Sequence, residues 1–235
     1  MIPGHVHAEA KATSGVQEQY DKFAPTYDVL DGGQAPELFG FDQLRSQLIG
    51  EVSGRALEVA VGTGLNLPLY RWKRTAVYGA SFENVGVEDL TAIDISQGML
   101  TEAVARVKGS PLLEDKPITL KQANATNLPF ADESFDSIVD TFSLCVIEDP
   151  TAALREMARV LRPTGTAFLL EHSRSDNRLL AAYQDLTSSA VASSSKGCVW
   201  NQDVEYMLKE AGLTPKYLSR HVAGTVVLIK VVKTA

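Results

Sequence analysis

A glycine turn and a later aspartate are the residues of this chain whose types and spacing best suit binding of a nucleoside. The apolar residues 56–61 lead into Gly62-Thr63-Gly64, and Asp94 ends a second apolar run further along. A glycine turn between a strand and a helix lets the backbone approach a ligand closely, and an acidic side chain at the tip of the next strand accepts hydrogen bonds from ribose hydroxyls. The pattern therefore predicts a nucleoside-binding crevice.

The residues beside the glycines distinguish one nucleoside from another. A dinucleotide site needs a small third residue for close helix-strand packing around a pyrophosphate, and Leu67 stands at that place. Glu58 lies inside the first apolar run, where a carboxylate suits a cationic ligand. S-adenosylmethionine carries adenosine, an ammonium and a sulfonium but no phosphate. These two residues therefore favour it over NAD.

Further motifs extend the pattern along most of the chain. Their order and spacing resemble those of class I S-adenosylmethionine-dependent methyltransferases of the ubiquinone/menaquinone-biosynthesis type, over about residues 17–172. Two short segments, residues 169–174 and 197–201, are similar to a smaller group that includes mitochondrial methyltransferase-like proteins, thiol methyltransferases and bacterial phospholipid N-methyltransferases. The motifs that carry the main resemblance are residues 20–28, 58–66, 94–100, 124–130, 134–136 and 155–163.

The resemblance implies S-adenosyl-L-methionine as the cofactor and a small-molecule or lipid-like methyl acceptor. Aromatic residues of the first motif would cover the cofactor, and the glycine turn would hold its amino-acid part. Asn124 stands where the family usually has an aspartate beside the adenine amino group, so it keeps an acceptor oxygen and lacks the charge. The implied cofactor-binding residues are Tyr20, Tyr27, Glu58, Ala60, Gly62, Thr63, Gly64, Asn66, Asp94, Ile95, Met99, Asn124, Ala125 and Thr141.

Candidates for catalysis follow two predicted strands. Methyl transfer from a sulfonium is an in-line displacement that needs alignment, exclusion of water and, for some acceptors, a base. His172 is the preferred base, because imidazole titrates near neutral pH and the residue follows a parallel strand. Each candidate also has a purely structural interpretation. Asp140 would cap a strand end and Cys145 would be a small buried apolar residue. Glu171 would be a solvated or cofactor-adjacent carboxylate, and His172 a hydrogen-bonded structural histidine. The candidates are Asp140, Thr141, Ser143, Cys145, Glu171 and His172.

Helical and strand patterns alternate along the chain, which predicts the elements that position these residues. The order predicts an α/β fold with a doubly wound, mostly parallel seven-stranded sheet, Rossmann-like, and ligands at the carboxyl ends of its strands. Ser96, Asp149 and Asn201 are predicted helix N-caps. Residues 1–15 are expected to be disordered and residues 16–235 to form one domain. Within it, residues 16–50 are expected to form a helical lid over the crevice, and residues 71–89 to contain an inserted surface loop.

Composition excludes several other classes. A net charge of -7 with scattered basic residues argues against a nucleic-acid partner. Two cysteines are too few for a disulfide framework and lack metal-ligand spacing, so no metal is expected. No apolar run reaches the roughly eighteen residues of a membrane span, and no signal peptide is recognisable. The chain is therefore predicted to be soluble and cytoplasmic, with a mitochondrial location as the alternative. The sequence leaves the oligomeric state open.

Two other functions stand beside the methyltransferase interpretation. One is a non-enzymatic assembly or regulatory protein that binds S-adenosylmethionine without turnover. The other is an NAD-dependent oxidoreductase, which Leu67 and Glu58 disfavour.

Overall fold

The computed structural model of the chain describes residues 6–30, 40–73 and 86–234. Within them the strands form one seven-stranded sheet. They are β1 (Gly54–Val59), β2 (Val87–Asp94), β3 (Ile118–Gln122), β4 (Phe135–Thr141), β5 (Leu161–His172), β6 (Leu213–His221) and β7 (Val226–Lys233). The sheet order is β3-β2-β1-β4-β5-β7-β6, and all neighbours are parallel except β7, which runs antiparallel to β5 and β6. The predicted doubly wound, mostly parallel sheet is confirmed.

Helices cover both faces of this sheet. They are α1 (Val6–Phe23), α2 (Tyr27–Leu30), α3 (Phe41–Ile49), α4 (Gln97–Lys108), α5 (Pro150–Val160), α6 (Arg178–Ser194) and α7 (Val204–Glu210). Successive strand residues point to opposite faces, so Leu57 packs in the apolar cluster under α5 and α7 while Ala56 packs in the one under α3 and α4. None of the helices in the described ranges has the length and apolar composition that a membrane span requires.

The strand order reverses at β1, which places a crevice at its carboxyl end. The chain adds β2 and β3 on one side of β1 and β4 and β5 on the other. Glu58 on β1 pairs with Ala92 on β2, and Val59 pairs with Asp140 on β4. Loops that follow neighbouring parallel strands meet at the same edge, and ligands of such folds bind at this switch point. The glycine turn, Asp94 and Thr141 are therefore brought to one edge.

Two of the three predicted N-caps are present. The Ser96 hydroxyl accepts the backbone N–H of Met99 at 3.1 Å, and the Asp149 carboxylate accepts that of Ala152 at 2.8 Å. The prediction for Asn201 is wrong. Helix α7 begins at Val204, so the residue before it, Asp203, provides the cap.

The predicted disorder of residues 1–15 does not hold from Val6 onward, because α1 begins there. Alanine, glutamate and lysine in its first turns are good helix formers, which favours a helix there. Residues 1–5 lie outside the described ranges, as do residues 31–39 of the predicted lid and residues 74–85 of the predicted inserted loop. Around that loop, Trp72 and Val87 form a parallel bridge.

Candidate active site

A cavity of about 960 Å³ opens at the carboxyl ends of β1, β2 and β4. Its volume lies near the upper end of the range for small-molecule sites, which is about 300–1,000 Å³. Val146, Ile147 and Ala152 form part of its wall beyond β4, and Val16 lines it from α1. The predicted cofactor residues in its lining are Tyr20, Tyr27, Ala60, Gly62, Asp94, Ile95, Met99, Asn124, Ala125 and Thr141.

The two glycines of the turn have different reasons to be glycine. Both have positive φ, +57° for Gly62 and +83° for Gly64. A Cβ on Gly62 would meet no atom within 4 Å, and because Gly62 lines the cavity, a side chain there would take ligand space. A Cβ on Gly64 would come within 2.7 Å of Leu67 Cδ1. Gly64 therefore allows close packing against Leu67, and it does not line the cavity.

Asp94 joins the tip of β2 to the glycine turn. Its Oδ1 accepts the backbone N–H of Ser96 and its Oδ2 accepts that of Gly62, both at 2.8 Å. Burial raises the pKa of this carboxyl above its ordinary value, against the lowering effect of these N–H groups. Each oxygen has a further lone pair, and Asp94 lines the cavity. The carboxylate is thus placed to accept hydroxyl groups of a ligand.

The loop after β3 forms the wall on which the adenine is expected. The Asn124 side-chain oxygen accepts both the backbone N–H and the hydroxyl of Thr126, each at 2.9 Å. This closes an Asx turn, and residues 123–127 line the cavity. The oxygen expected to face adenine is therefore already engaged within its own loop.

Glu58 lies behind the cavity wall and does not line it. Its carboxylate is 1% exposed and accepts Asn66 Nδ2 at 2.8 Å and the Tyr70 hydroxyl at 3.0 Å. Burial raises the pKa of Glu58 to about 7, and the bonds from Asn66 and Tyr70 oppose the rise. The charge that we expected to face a cationic ligand is instead enclosed by protein donors.

A chain of hydrogen bonds connects Glu58 to the cavity through Thr141. Asn66 Nδ2 also donates to the Thr141 hydroxyl at 3.0 Å. Arg45 Nη1 donates to Asn66 Oδ1 at 2.8 Å and to the same Thr141 hydroxyl at 3.1 Å. Sequence reasoning missed Arg45 and Tyr70. The one available signal for Arg45 was a cation beside the apolar positions of α3.

The N-terminal segment is attached to the site by two aspartates. Asp21 Oδ1 accepts the Ser96 hydroxyl at 2.6 Å and the Gly98 N–H at 2.8 Å, which fixes α1 to the start of α4. This attachment holds Tyr20 and Tyr27 at the cavity, with ring centroids 6.3 Å apart.

The second aspartate, Asp28, reaches the glycine turn. It accepts the Thr63 hydroxyl at 2.6 Å and forms an ion pair with Arg106, whose Nε donates to the Thr63 carbonyl at 2.8 Å. Thr63 is 2% exposed and does not line the cavity. It connects the first motif to the turn, and neither aspartate was singled out from the sequence.

His172 does not line the cavity. Its ring packs against Phe142, which lines the cavity, with ring centroids 5.0 Å apart. Burial lowers the pKa of His172, so the imidazole is neutral at pH 7. Ser143 also lines this wall, whereas Asp140 and Glu171 are fully buried beneath it.

Comparison with known proteins agrees with this geometry. A family model described as a methyltransferase domain matches residues 57–169. The chain is 37% identical over 150 residues to a phosphatidylethanolamine N-methyltransferase of Cereibacter sphaeroides, covering 64% of each protein and so less than two thirds of that relative's length. It is 30% identical over 207 residues to the ubiquinone/menaquinone biosynthesis C-methyltransferase UbiE of Bdellovibrio bacteriovorus, covering 85% of this chain and 80% of the relative.

A solved structure shares the fold. It is a SAM-dependent methyltransferase, possible histamine N-methyltransferase, from Thermotoga maritima, with a TM-score of 0.61 and 18% identity over 92% of this chain and 99% of that chain.

Proposed function

The chain belongs to the class I S-adenosylmethionine-dependent methyltransferases of the ubiquinone/menaquinone-biosynthesis type, and we propose that it transfers a methyl group from S-adenosylmethionine to a lipid-like acceptor. The observation that carries this proposal is one cavity whose lining offers both polar and apolar groups. Asp94, Gly62 and residues 123–127 supply polar side chains and backbone groups. Val146 and Ile147, after β4, form an apolar wall, with Glu148 and Asp149 next to them in the lining.

The polar residues of the cavity lining fit the cofactor. Asp94 offers acceptors for ribose hydroxyls, and the space beside Gly62 admits an amino-acid group that a Cβ would obstruct. The sulfonium of the bound cofactor supplies a methyl group that is already activated. The protein has to align the acceptor and exclude water. Tyr20 and Tyr27, held by Asp21 and Asp28, cover the crevice and serve both purposes.

The apolar part of the lining indicates the chemical nature of the acceptor. The relatives' names give a phospholipid and quinones as acceptors of those proteins. In this chain the apolar wall suits a lipid-like molecule better than a highly charged one, since apolar surface is stabilised by contact with apolar ligand. His172 does not line the cavity, and its ring packs against Phe142, which does. We therefore give His172 a packing role.

Release of S-adenosylhomocysteine by purified protein tests the proposal. The acceptors to compare are phosphatidylethanolamine vesicles, a demethylated menaquinol, and a water-soluble amine and thiol. We expect turnover with one of the lipid-like acceptors. Cofactor binding without release from any acceptor would support the non-enzymatic alternative, and release only with the water-soluble acceptors would reject the lipid-like one.

Two further expectations belong to this proposal. A net charge of -7 supports the absence of a nucleic-acid partner. The chain has two cysteines, too few for a disulfide framework, which supports a reducing compartment such as the cytoplasm.

A further inference from the structure

Two buried carboxyl groups lie on neighbouring strands beneath the cavity wall, and both accept hydrogen bonds from Ser143. Asp140 is on β4 and Glu171 near the end of the adjacent strand β5, and both are 0% exposed. Neither lines the cavity. Two carboxylates in contact inside a protein repel each other strongly, because the interior screens charge poorly.

Ser143 connects the two carboxyl groups. Its hydroxyl donates to Asp140 Oδ1 at 2.5 Å, and its backbone N–H donates to Glu171 Oε1 at 3.0 Å. Among the buried side-chain atoms that the structure describes, Asp140 Oδ2 and Glu171 Oε2 have no donor. Leaving a buried acceptor unpaired costs about 1–3 kcal/mol. An ionised carboxylate has no hydrogen to donate, so these two oxygens can bond each other only through a proton held by one of them.

We propose that Asp140 and Glu171 share one proton between Oδ2 and Oε2, and that this singly charged pair positions Ser143 in the wall of the cavity. The proton comes from solvent during folding and stays with the pair. Both groups are positioning residues, because they act through Ser143. The structural half of this inference is independent of the proposed function; its consequence for an acceptor rests on that function.

The charged and titratable groups around the pair are consistent with one proton. Glu58 of β1 and Arg45 of α3 interact electrostatically with Asp140 and Glu171, respectively. The thiols of Cys145 and Cys198 also interact electrostatically with the pair. Arg45 is the one cation in this set, and Glu58 competes for it. A second negative charge on the pair would therefore lack a counter-charge among these groups.

The pair also explains how the wall keeps its shape. Phe142, between Thr141 and Ser143, has a φ of +57°, in the left-handed region that a bulky side chain rarely adopts. Its backbone N–H donates to the Leu170 carbonyl at 2.8 Å. The two bonds from Ser143 fix the next residue, so the strained residue is held on both sides. Without them, Phe142 and Ser143 would lose their place facing the acceptor.

Amide substitutions test the number of protons. In Glu171→Gln or Asp140→Asn, the new amide N–H donates to the remaining carboxylate and the amide oxygen still accepts from Ser143. We expect each single variant to melt within about 3 °C of the wild type. In the double variant, two N–H groups face each other or a Ser143 bond is lost. We expect its melting temperature to fall by at least about 4 °C more than the sum of the two single effects.

A distant pair provides the control. Glu156 is on α5 and bonds Arg159, so Asp140→Asn with Glu156→Gln should be additive. An additive Asp140→Asn/Glu171→Gln variant would overturn the contact between Oδ2 and Oε2. Single variants that both melt well above the wild type would overturn the shared proton, since an amide would then relieve the repulsion of two ionised carboxylates.

The proton can also be observed in the unmutated protein without cofactor. Infrared difference spectra at pH 7 should contain the C=O stretch of a protonated, buried carboxyl that shifts in D2O and disappears in both Glu171→Gln and Asp140→Asn. A spectrum in which neither substitution removes such a band would refute the proposal, even if the double variant does not fold.

The acceptor provides the functional readout. We expect Glu171→Gln to keep the KM for the acceptor within about threefold and the double variant to raise it by about tenfold or more, with S-adenosylhomocysteine affinity unchanged. An equal rise of KM in Glu171→Gln and in the double variant would show that the pair does not position Ser143 for the acceptor. Absence of turnover in every variant including the wild type would refute the proposed function and leave the infrared result standing.

Discussion

Asp94 accepts the backbone N–H of Gly62 at 2.8 Å, so the acidic tip of one strand directly holds the glycine turn that follows its neighbour. The carboxylate has two tasks as a result, stabilising the turn and offering acceptors to the cavity.

Asp94→Ala should weaken S-adenosylmethionine binding by about 1.5–3 kcal/mol, the usual contribution of hydrogen bonds to a charged group. A 2′-deoxy cofactor analogue should lose less affinity in this variant than in the wild type, as measured by calorimetry. Asp89→Ala, on the same strand with its side chain 46% exposed and paired with Arg55, is the control and should bind normally. If the analogue loses the same affinity, relative to S-adenosylmethionine, in wild type and variant, Asp94 supports the turn and does not bind the ribose.

Gly62→Ala and Gly64→Ala should fail in different ways. Both force a side chain into the left-handed region, which costs about 1–2 kcal/mol of stability. In Gly64→Ala the Cβ also meets Leu67, so we expect a larger loss of stability, and the losses of Gly64→Ala and Leu67→Ala should combine to less than their sum. Gly62→Ala should mainly reduce cofactor affinity. Thermal melts and titrations distinguish the two, and identical profiles would contradict the assignment.

Glu58 should make stability depend on pH near neutrality. Its folded pKa of about 7 is raised above the unfolded value, so its contribution is full at low pH and is lost as pH rises from about 4.5 to 7. The loss has an upper limit of about 3 kcal/mol. Glu58→Gln should therefore gain melting temperature relative to the wild type between pH 5 and pH 8. A constant difference over that interval would show that the carboxyl is not titrating there.

Asp21→Ala should release α1 from α4 and weaken cofactor binding without touching the cofactor. The variant loses both bonds to Asp21 Oδ1, from Ser96 and from Gly98, so Tyr20 is no longer held at the cavity. We expect faster proteolysis within α1 and about fivefold or greater loss of affinity. Glu18→Ala, at an exposed position of the same helix, is the control. Unchanged protection from protease would argue against this anchor.

His172→Phe tests the base directly, because it keeps a ring against Phe142 and removes the titrating nitrogen. We expect cofactor affinity within about threefold and turnover within about tenfold of the wild type. A base would instead give a loss of about a hundredfold or more together with loss of an acidic limb, which burial places below the usual pKa of about 6.5.

The acceptor side is tested by Val146→Asp, which introduces a charge into the apolar wall. The KM for a lipid-like acceptor should rise by about tenfold or more, while cofactor affinity stays within about threefold. Leu112→Asp, at a position 71% exposed and outside the cavity, is the control. Equal effects of the two substitutions would remove Val146 from the acceptor site.

The sequence determined the features that depend on neighbours along the chain. The Ser96 and Asp149 caps, the glycine turn and the alternation that gives a parallel sheet are local, because a cap or turn uses groups a few residues away. The spacing from Gly62 to Asp94 was readable for a related reason, since one βαβ unit fixes which strand tips meet.

Tertiary structure alone decided which way the other side chains face and what they meet. A shift of one residue along β1 would turn Glu58 to the other face of the sheet. In the structure its carboxylate accepts bonds from Tyr70 and Asn66 and does not face the cavity. Ser143 can bond both Asp140 and Glu171 because of the register of β4 against β5, although the two carboxyl residues are 31 apart in sequence. Since strand register and helix placement come from packing over the whole core, no local pattern encodes these contacts.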